Sequence, residues 1–361
     1  RGKYAVIASG IAASYVQEII PNDISFMKIG AYPIDEEWLA GFVRTHEKVL
    51  VVEELFPMVE EAVREVAGTV EVFGKKTGNA PYEGELSPDS VARIMTSCGF
   101  PTRIHYPSVQ PVADLPPRPP ILCAGCMHRP VFYAIKKVFK DGIYPSDIGC
   151  YTLGLQLGAV DTTICMGASI TIGSGIFHSG EERDVVATIG DSTFLHTGIP
   201  GLMNAVYNGA KMTVVILDNR TTAMTGHQPN PNTGFTASGE PAPPISLEAL
   251  CRACGVGFVE TVNPYDMVTL TTALKDAKAR PGVKVVIAKQ PCVITARRAG
   301  VKRGRYMVDP ETCTGCGICV KFGCPAIEQR DEKAWINDLC SGCAICAQLC
   351  PSGAIRKEGG R

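Results

Sequence analysis

The sequence has no long hydrophobic run, almost no net charge and only two tryptophans. Its 361 residues contain 35 Lys and Arg against 36 Asp and Glu, which leaves a formal net charge of −1. No apolar stretch approaches the roughly 18 residues that a membrane span needs, and no signal-peptide pattern opens the chain. The balanced charge gives no electrostatic reason to expect binding to nucleic acid or to an anionic membrane. The length predicts two or three domains.

Cysteine, by contrast, is abundant. Sixteen cysteines could indicate a secreted disulfide scaffold, but the length and the Val/Ile/Ala-rich segments favour the reducing cytoplasm. The spacing of eight of them is typical of a small fold that binds two [4Fe–4S] clusters. They form two runs, Cys313-x2-Cys316-x2-Cys319-x4-Cys324-Pro325 and Cys340-x2-Cys343-x2-Cys346-x3-Cys350-Pro351.

In such folds the fourth cysteine of each run ligates the other cluster. The alternatives are a zinc module or eight buried thiols, although zinc ligands are not normally arranged as tandem triplets ending in Cys-Pro. The first run has one residue more before its last cysteine than the commonest ferredoxin pattern, so its loop is expected to be slightly longer. We predict one cluster on Cys313, Cys316, Cys319 and Cys350, and the other on Cys340, Cys343, Cys346 and Cys324.

The rest of the chain alternates strand-like and helix-like stretches, which predicts βαβ units and parallel sheets. Six prolines between Pro107 and Pro120 indicate an extended linker between two such regions. A basic stretch at 296–306 precedes the cysteine runs. It indicates either a solvated linker or a binding site for an acidic partner or for CoA phosphates. The predicted strands are 4–8, 48–54, 185–189, 213–217 and 283–288, and the predicted helices are 12–19, 57–67, 202–209 and 246–253.

A candidate cofactor motif lies in the second region. Gly190-Asp191-Ser192 follows one predicted strand, and Asp218-Asn219 follows the next after 25 intervening residues. Parallel strands deliver such residues to the same carboxyl edge, where open α/β sheets bind ligands. Carboxylate and amide oxygens suit Mg²⁺, which could clamp a diphosphate there. The alternative is two ordinary strand-to-helix turns.

This arrangement resembles the thiamine diphosphate motif, usually GDG followed by NN. Ser192 replaces the third glycine and Asp218 the first asparagine, whereas the metal-binding positions Asp191 and Asn219 are intact. The resemblance implies thiamine diphosphate and Mg²⁺, with the carbonyl of Thr221 as a further ligand. The segment 218–228 also resembles a stretch of 2-oxoacid:ferredoxin oxidoreductases. The expected cofactor-binding residues are Gly190, Asp191, Ser192, Asn219, Thr221, Met224 and Thr225.

Four further segments are similar to the large subunit of indolepyruvate ferredoxin oxidoreductases, a resemblance that covers essentially the whole chain. The segments are Cys123-Ala-Gly-Cys126-Met-His128-Arg129, Asp147-Ile-Gly-Cys150-Tyr151-Thr-Leu-Gly154, Cys165-Met-Gly-Ala-Ser169 and Gly190-Asp-Ser-Thr-Phe-Leu-His196-Thr-Gly198.

The resemblance implies an α/β fold of two parallel-sheet domains followed by a small α+β module. A pyrimidine-binding domain, with the glutamate that activates thiamine, is expected upstream of Arg1. The expected order is a transketolase-C-like domain at 1–110, a proline-rich linker at 111–120, a diphosphate-binding domain at 121–295, a basic linker at 296–306 and a ferredoxin-like module at 307–361.

In related oxidoreductases a third [4Fe–4S] cluster lies beside the thiamine, and its cysteine pattern recurs here. The matching positions are Cys123, Cys126, Cys150 and Cys292. Alternatively, some of them are buried thiols packed near the cofactor. Of the remaining cysteines, the pair Cys251 and Cys254 lies in a predicted helix without a second pair nearby, and Cys98 and Cys165 are expected in the core.

The resemblance implies oxidative decarboxylation of an aromatic 2-oxoacid with CoA, a smaller partner subunit in a hetero-oligomer, and ferredoxin as electron acceptor. His128 and His196 are candidate catalytic residues, because imidazole can donate a proton where charge changes on a 2-oxoacid; the alternative is a structural role for each. Two other functions remain open. One is a related enzyme acting on phenylglyoxylate or branched-chain oxoacids, and the other is a non-catalytic electron-transfer subunit that has lost thiamine binding.

Overall fold

The computed structural model describes residues 2–103 and 112–359, and the chain divides into two compact units, Arg1–Pro116 and Pro117–Arg361. The division falls within the predicted linker, of which Pro107 and Pro111 lie outside the described residues. No described helix is long and apolar enough to cross a membrane.

The first unit is a parallel four-stranded sheet covered by helices on both faces. Its strands are β1 (Gly2–Ser9), β2 (Ser25–Ile29), β3 (His46–Val52) and β4 (Glu71–Phe73), and its helices are α1 (Ala12–Ile19), α2 (Glu36–Val43), α3 (Met58–Val66) and α4 (Pro88–Ser97). The strand order is β2-β1-β3-β4. One core packs α1 and α4 against the sheet, and the other packs α2 and α3.

The second unit contains a larger parallel sheet. Its central strands are continuous apolar runs because both faces are covered. The strands are β5 (Pro145–Ser146), β6 (Thr162–Thr163), β7 (Val186–Gly190), β8 (Met212–Asp218), β9 (Phe258–Val262) and β10 (Val283–Lys289), in the order β6-β5-β7-β8-β10-β9. The helices are α5 (His128–Val138), α6 (Ala168–His178), α7 (Asp191–Thr193), α8 (Ile199–Tyr207), α9 (Leu247–Ala253), α10 (Met267–Lys278) and α11 (Val293–Arg298), with a 3₁₀ helix at Cys150–Leu157 and a π-helical turn at Phe194–Gly198.

A small α+β module ends the second unit. It contains β11 (Tyr306–Val308), α12 (Ile318–Lys321), β12 (Ile327–Arg330), β13 (Lys333–Ile336), α13 (Ile345–Leu349) and β14 (Ile355–Lys357), with β11 paired to β14 and β12 to β13 in antiparallel fashion. Both helices start after a residue in the left-handed conformation, Gly317 at φ 71° and Ala344 at φ 66°. The shared geometry fits two copies of one half-module.

The predicted fold class, parallel-sheet α/β followed by a ferredoxin-like module, is confirmed. The predicted strands at 4–8, 213–217 and 283–288 form and are each extended by one to three residues, and the strand predicted at 185–189 forms one residue later, at Val186–Gly190. The strand predicted at 48–54 ends at Val52, and the helix predicted at 202–209 spans Ile199–Tyr207. Five strands that the sequence analysis did not predict complete the sheets, namely β2, β4, β5, β6 and β9.

One sequence expectation needs correction, and the predicted basic linker can be described in more detail. Arg297 and Arg298 are exposed at the end of α11, Arg303 lies over the ring of Tyr265 at 4.9 Å, and Arg305 pairs with Asp338 at 2.8 Å. Cys98 is buried as expected, but Cys165 is exposed and does not belong to the core.

Candidate functional site

Four neighbouring strands of the larger sheet bring candidate ligands to one edge. In the parallel order β5-β7-β8-β10 the chain continues from the carboxyl ends into the loops of Cys150, Asp191, Asn219 and Cys292, respectively. Gly190 and Leu217 are direct neighbours in the ladder, so the residues that follow them start side by side. This is the edge at which open α/β sheets bind ligands.

Asp191 is 2% exposed and is held by two carboxamides. Its Oδ2 accepts hydrogen bonds from Nδ2 of Asn230 at 3.0 Å and of Asn232 at 3.1 Å. Asn232 also donates to Oδ1 of Asp218 at 2.9 Å and therefore links both acidic side chains. Burial raises the pKa of Asp191 to about 7, the Asn230 bond opposes the rise, and the charge of Asp218 adds to it. A divalent cation beside this carboxylate would favour its ionised form.

Asn219 and Thr221 start the loop after β8 and are both buried. The Asn219 Oδ1 accepts a hydrogen bond from the Thr221 main-chain N–H at 3.2 Å. Arg220, between them, has a φ of 61°, so the chain turns sharply there. The donor set is thus one buried carboxylate, one amide oxygen and main-chain carbonyls. This chemistry fits Mg²⁺ with a diphosphate.

The rest of the motif loop folds over the turn that carries Ser192. Thr222 donates to the Ser192 hydroxyl at 2.9 Å, across from one strand end to the next. The Thr225 hydroxyl donates to Oε1 of Gln228 at 2.7 Å, and Nε2 of Gln228 donates to the Thr225 carbonyl at 2.8 Å. Met224 is about half exposed. These contacts bring the predicted cofactor-binding residues on the two loops next to each other.

The four cysteines expected to bind a third cluster are neighbours in the structure. Burial raises the pKa of Cys150 to about 11, and the adjacent thiols of Cys292 and Cys123 raise it further. Burial likewise raises the pKa of Cys126 to about 12, with Cys123 and Cys150 adding to the rise. We call these four residues the thiamine-side cysteine set: Cys123, Cys126, Cys150 and Cys292.

The thiamine-side set adjoins the metal-site candidates. The Cys292 N–H donates to the Asn219 carbonyl at 2.9 Å. Cys150 begins the 3₁₀ helix whose second residue, Tyr151, donates to or accepts from Thr193 at 2.7 Å, two residues after Asp191. A cluster on this set and a cofactor at Asp191 would therefore occupy adjoining sites.

The cysteines of the small module form two groups, and each group contains members of both runs. One cavity is lined by the first three cysteines of one run and the last of the other, namely Cys313, Cys316, Cys319 and Cys350. In the other group, burial raises the pKa of Cys346, and the neighbouring thiols of Cys343, Cys324 and Cys340 raise it further. We call these the outer set and the inner set, respectively.

The described residues contain no group of three Cys, His, Asp or Glu side chains positioned for a single metal ion. A mononuclear site needs its ligands gathered around one ion. A [4Fe–4S] cluster takes one thiolate on each of four irons, so four neighbouring but separated thiols fit it. Each of the three sets supplies four.

The small module packs against the thiamine-side loop through its inner set. Phe322 and Ile345 join the core of the larger domain, and Cys126, Cys324 and Cys343 pack against that core. The Tyr265 hydroxyl donates to the Gly125 carbonyl at 2.5 Å, and Gln348 donates to the Tyr265 carbonyl at 2.8 Å. A side chain at Gly125 would collide with Ser341. These contacts hold the inner set beside the loop that carries Cys123 and Cys126.

The two candidate histidines occupy different environments. His128 is 2% exposed, lies edge-on to Tyr151 at 6.0 Å, and neither ring nitrogen has a hydrogen-bond partner among the described residues. Burial lowers its pKa to about 4, so the ring is neutral near pH 7. His196 is exposed in the π-helical turn.

Sequence reasoning missed several polar residues of this region. Asn230 and Asn232 bind Asp191, and the Asn-Pro-Asn segment after the Gln228 motif was their only signal. Asp147 is fully buried and accepts the Ser169 N–H at 2.9 Å and its hydroxyl at 2.7 Å, which fixes the start of α6. The pair Cys251 and Cys254 packs with an apolar core.

Comparison with known proteins matches two regions of the chain to known domain families. Residues 147–288 match the thiamine pyrophosphate enzyme C-terminal TPP-binding domain, and residues 333–356 match a 4Fe-4S binding domain. The chain is 44% identical over 98% of its length to indolepyruvate oxidoreductase subunit IorA of Archaeoglobus fulgidus, covering 60% of that protein. The chain is therefore similar to the IorA subunits over nearly its whole length.

Other relatives fit the same assignment. IorA of Pyrococcus horikoshii is 40% identical over 98% of the chain and 60% of its own length. The 2-oxoglutarate synthase subunit KorB of Archaeoglobus fulgidus is 27% identical over 48% of the chain and 70% of its own length. The chain thus spans about 60% of the length of the IorA subunits it matches.

Proposed function

We propose that the chain forms the diphosphate-binding and electron-transfer part of a thiamine-dependent 2-oxoacid:ferredoxin oxidoreductase. The reaction is oxidative decarboxylation of an aromatic, indolepyruvate-like 2-oxoacid with CoA, which gives acyl-CoA and CO₂ and passes electrons to ferredoxin. The observation that carries the proposal is the main-chain bond from Cys292 to Asn219. It joins the candidate metal site directly to a candidate cluster site.

In this proposal Asp191, Asn219 and the Thr221 carbonyl hold Mg²⁺ against the diphosphate. When bound, thiamine diphosphate supplies the nucleophilic carbon and the electron sink for decarboxylation. Asn230 and Asn232 orient the Asp191 carboxylate, a role that typically supports metal affinity. The surrounding cofactor contacts come from Gly190, Ser192, Met224 and Thr225.

Three [4Fe–4S] clusters form the electron path, one on each cysteine set. The thiamine-side set adjoins the Asp191 site, the inner set packs against the thiamine-side loop, and the outer set belongs to the same small module. Clusters held by these sets would give electrons a path in that order from the cofactor site, with the outer set as the exit towards ferredoxin. Clusters of this kind carry one electron at a time, which divides a two-electron oxidation into single steps.

The remaining parts of the proposal come from the family. His128 supplies a neutral N–H inside the protein, and His196 supplies an exposed imidazole near the solvent side. A smaller partner subunit completes a cytoplasmic hetero-oligomer. The basic cavity lined by Arg297, Lys302 and Arg303 is a candidate site for CoA phosphates or for an acidic partner.

A substrate panel tests the proposal. The intact complex, prepared without oxygen, is assayed for ferredoxin reduction with indolepyruvate, phenylglyoxylate, branched-chain oxoacids and 2-oxoglutarate, each with and without CoA. Indolepyruvate should give the highest kcat/KM, and reduction should require CoA. A preference for another oxoacid would select the related-enzyme alternative. Absence of bound thiamine diphosphate with intact clusters would select the electron-transfer subunit.

A further inference from the structure

Arg129 connects two of the cysteine sets. It lies in α5, is 3% exposed, and its guanidinium donates to the carbonyl of Leu122 at 2.5 Å and to that of Gly323 at 2.6 Å. Leu122 immediately precedes Cys123 of the thiamine-side set, and Gly323 immediately precedes Cys324 of the inner set. One side chain therefore connects two ligand loops, although Arg129 and Gly323 are 194 residues apart in sequence.

The charge of Arg129 lacks a carboxylate partner. None of the ion pairs among the described residues includes it, and its Nε is buried without a hydrogen-bond partner there. The acidic groups that act on its charge are the thiols of Cys324, Cys126, Cys123 and Cys343. A buried cation without an anionic partner is strongly unfavourable. Two anionic clusters on these cysteines would supply the missing negative charge.

We propose that Arg129 is a positioning residue between the thiamine-side and inner clusters, and that its fixed positive charge raises the reduction potential of both. The inference rests on the proposed function. A cluster bound by four thiolates is anionic and becomes more negative on reduction, so a nearby cation stabilises the reduced form. The same cation holds the two ligand loops together through its pair of carbonyl contacts.

Arginine suits this position better than lysine. Its planar guanidinium can donate to two carbonyls in different directions, and it stays charged when buried. Lysine would keep the charge but reach one carbonyl well at most. Charge and connection can therefore be separated by comparing Arg129→Met, Arg129→Gln and Arg129→Lys.

The test is a mediated redox titration of the intact, oxygen-free complex, followed by EPR after iron analysis. In R129M the reduction potentials of the thiamine-side and inner clusters should fall by at least about 59 mV, which corresponds to a tenfold change in a one-electron equilibrium constant. The outer cluster should keep its potential and serves as an internal reference. R129K should stay near the wild type. A control, Arg64→Met, removes a guanidinium that also donates to a main-chain carbonyl, but in the first unit.

Wild-type potentials in R129M, or in R129Q if R129M loses iron, would overturn the inference and leave only a structural role. A wild-type complex that lacks the thiamine-side cluster would also overturn it. The titration uses chemical mediators and needs neither thiamine nor substrate. Absence of 2-oxoacid activity would therefore contradict the proposed function, whereas the effect of Arg129 on the cluster potentials would still be tested by the titration alone.

Discussion

At the scale of single residues, the candidate site depends on a buried carboxylate whose neighbours are amides and another carboxylate. Asp191 and Asp218 both contact Asn232. Such a group needs a cation or a proton, and burial raises the pKa of Asp191 to about 7. A bound Mg²⁺ would supply the positive charge.

Replacement of Asp191 tests the metal site directly. Asp191→Ala removes the one buried carboxylate of the proposed ligand set, so the purified protein should retain little or no thiamine diphosphate. Cofactor content is measured by extraction and fluorescence after oxidation to thiochrome. The control is Asp338→Ala, which removes an exposed carboxylate. Asp161 is less suitable because its carboxylate accepts the Tyr144 N–H. Normal cofactor content in D191A would refute the assignment.

Asn232→Ala should weaken the site without removing a ligand. Loss of its amide leaves Asp191 and Asp218 without their shared donor, so we expect about a 10- to 100-fold loss of Mg²⁺ affinity. The measurement is the Mg²⁺ concentration that restores cofactor binding to metal-depleted protein. Asn208→Ala, which removes an exposed amide that donates to the Asn204 carbonyl of its own helix, should bind as the wild type does. An unchanged Mg²⁺ requirement in N232A would contradict the proposed orienting role.

Lys284 provides a pH-dependent prediction away from the site. It is 3% exposed on β10, and burial lowers its pKa to about 8, with Lys211 contributing. The unfolded chain, with an ordinary lysine pKa of about 10.4, binds that proton more tightly. The free energy of unfolding should therefore rise as the pH increases from about 8 to 10. Below about pH 8 the folded protein bears the full free-energy cost of burying the charged Lys284 side chain.

Lys284→Met removes the buried charge and should raise the free energy of unfolding near pH 7 by up to about 3 kcal/mol. The gain should shrink towards pH 10. Thermal unfolding of the intact protein at several pH values measures it, with exposed Lys289→Met on the same strand as the control. A gain that does not change with pH would show that charge burial is not its cause.

At the scale of elements, the sequence pattern predicted those strands and cysteine runs that are recognisable from neighbouring residues alone. The buried runs of β7, β8 and β10 and the cysteine spacing could be read directly. The two-residue strands β5 and β6 could not, because they contain too few residues for a periodic pattern and form only through pairing with neighbours. Docking of the small module was also hidden, since it depends on Tyr265 and Gln348, which no motif marks.

Crossed ligation in the small module is testable in the intact chain. If Cys324 belongs to the inner set, Cys324→Ser should remove about four irons. Adding Cys343→Ser should remove no more, because both residues serve one cluster, whereas adding Cys316→Ser should remove about eight in total. The exposed Cys165→Ser should keep full iron. The opposite pattern in the two double variants would show that each run binds its own cluster.

At the scale of the whole molecule, the Asp191 site and three cysteine sets belong to one compact unit, Pro117–Arg361. The sequence indicated each part, but it did not indicate that the inner set packs beside the thiamine-side loop. That arrangement follows from apolar contacts of Phe322 and Ile345 and from the Arg129 bonds, which link distant parts of the chain. We propose that cofactor and clusters form one continuous electron path through this unit.

The most direct measurement is EPR of the oxygen-free, thiamine-loaded complex frozen after addition of a 2-oxoacid, without ferredoxin. We expect the substrate itself to reduce the clusters. Cys292→Ser, which removes a proposed thiamine-side ligand, should lose this reduction, while dithionite should still reduce the inner and outer clusters. Clusters that stay oxidised in the wild type with substrate, although thiamine diphosphate is bound and dithionite reduces them, would contradict the proposed path.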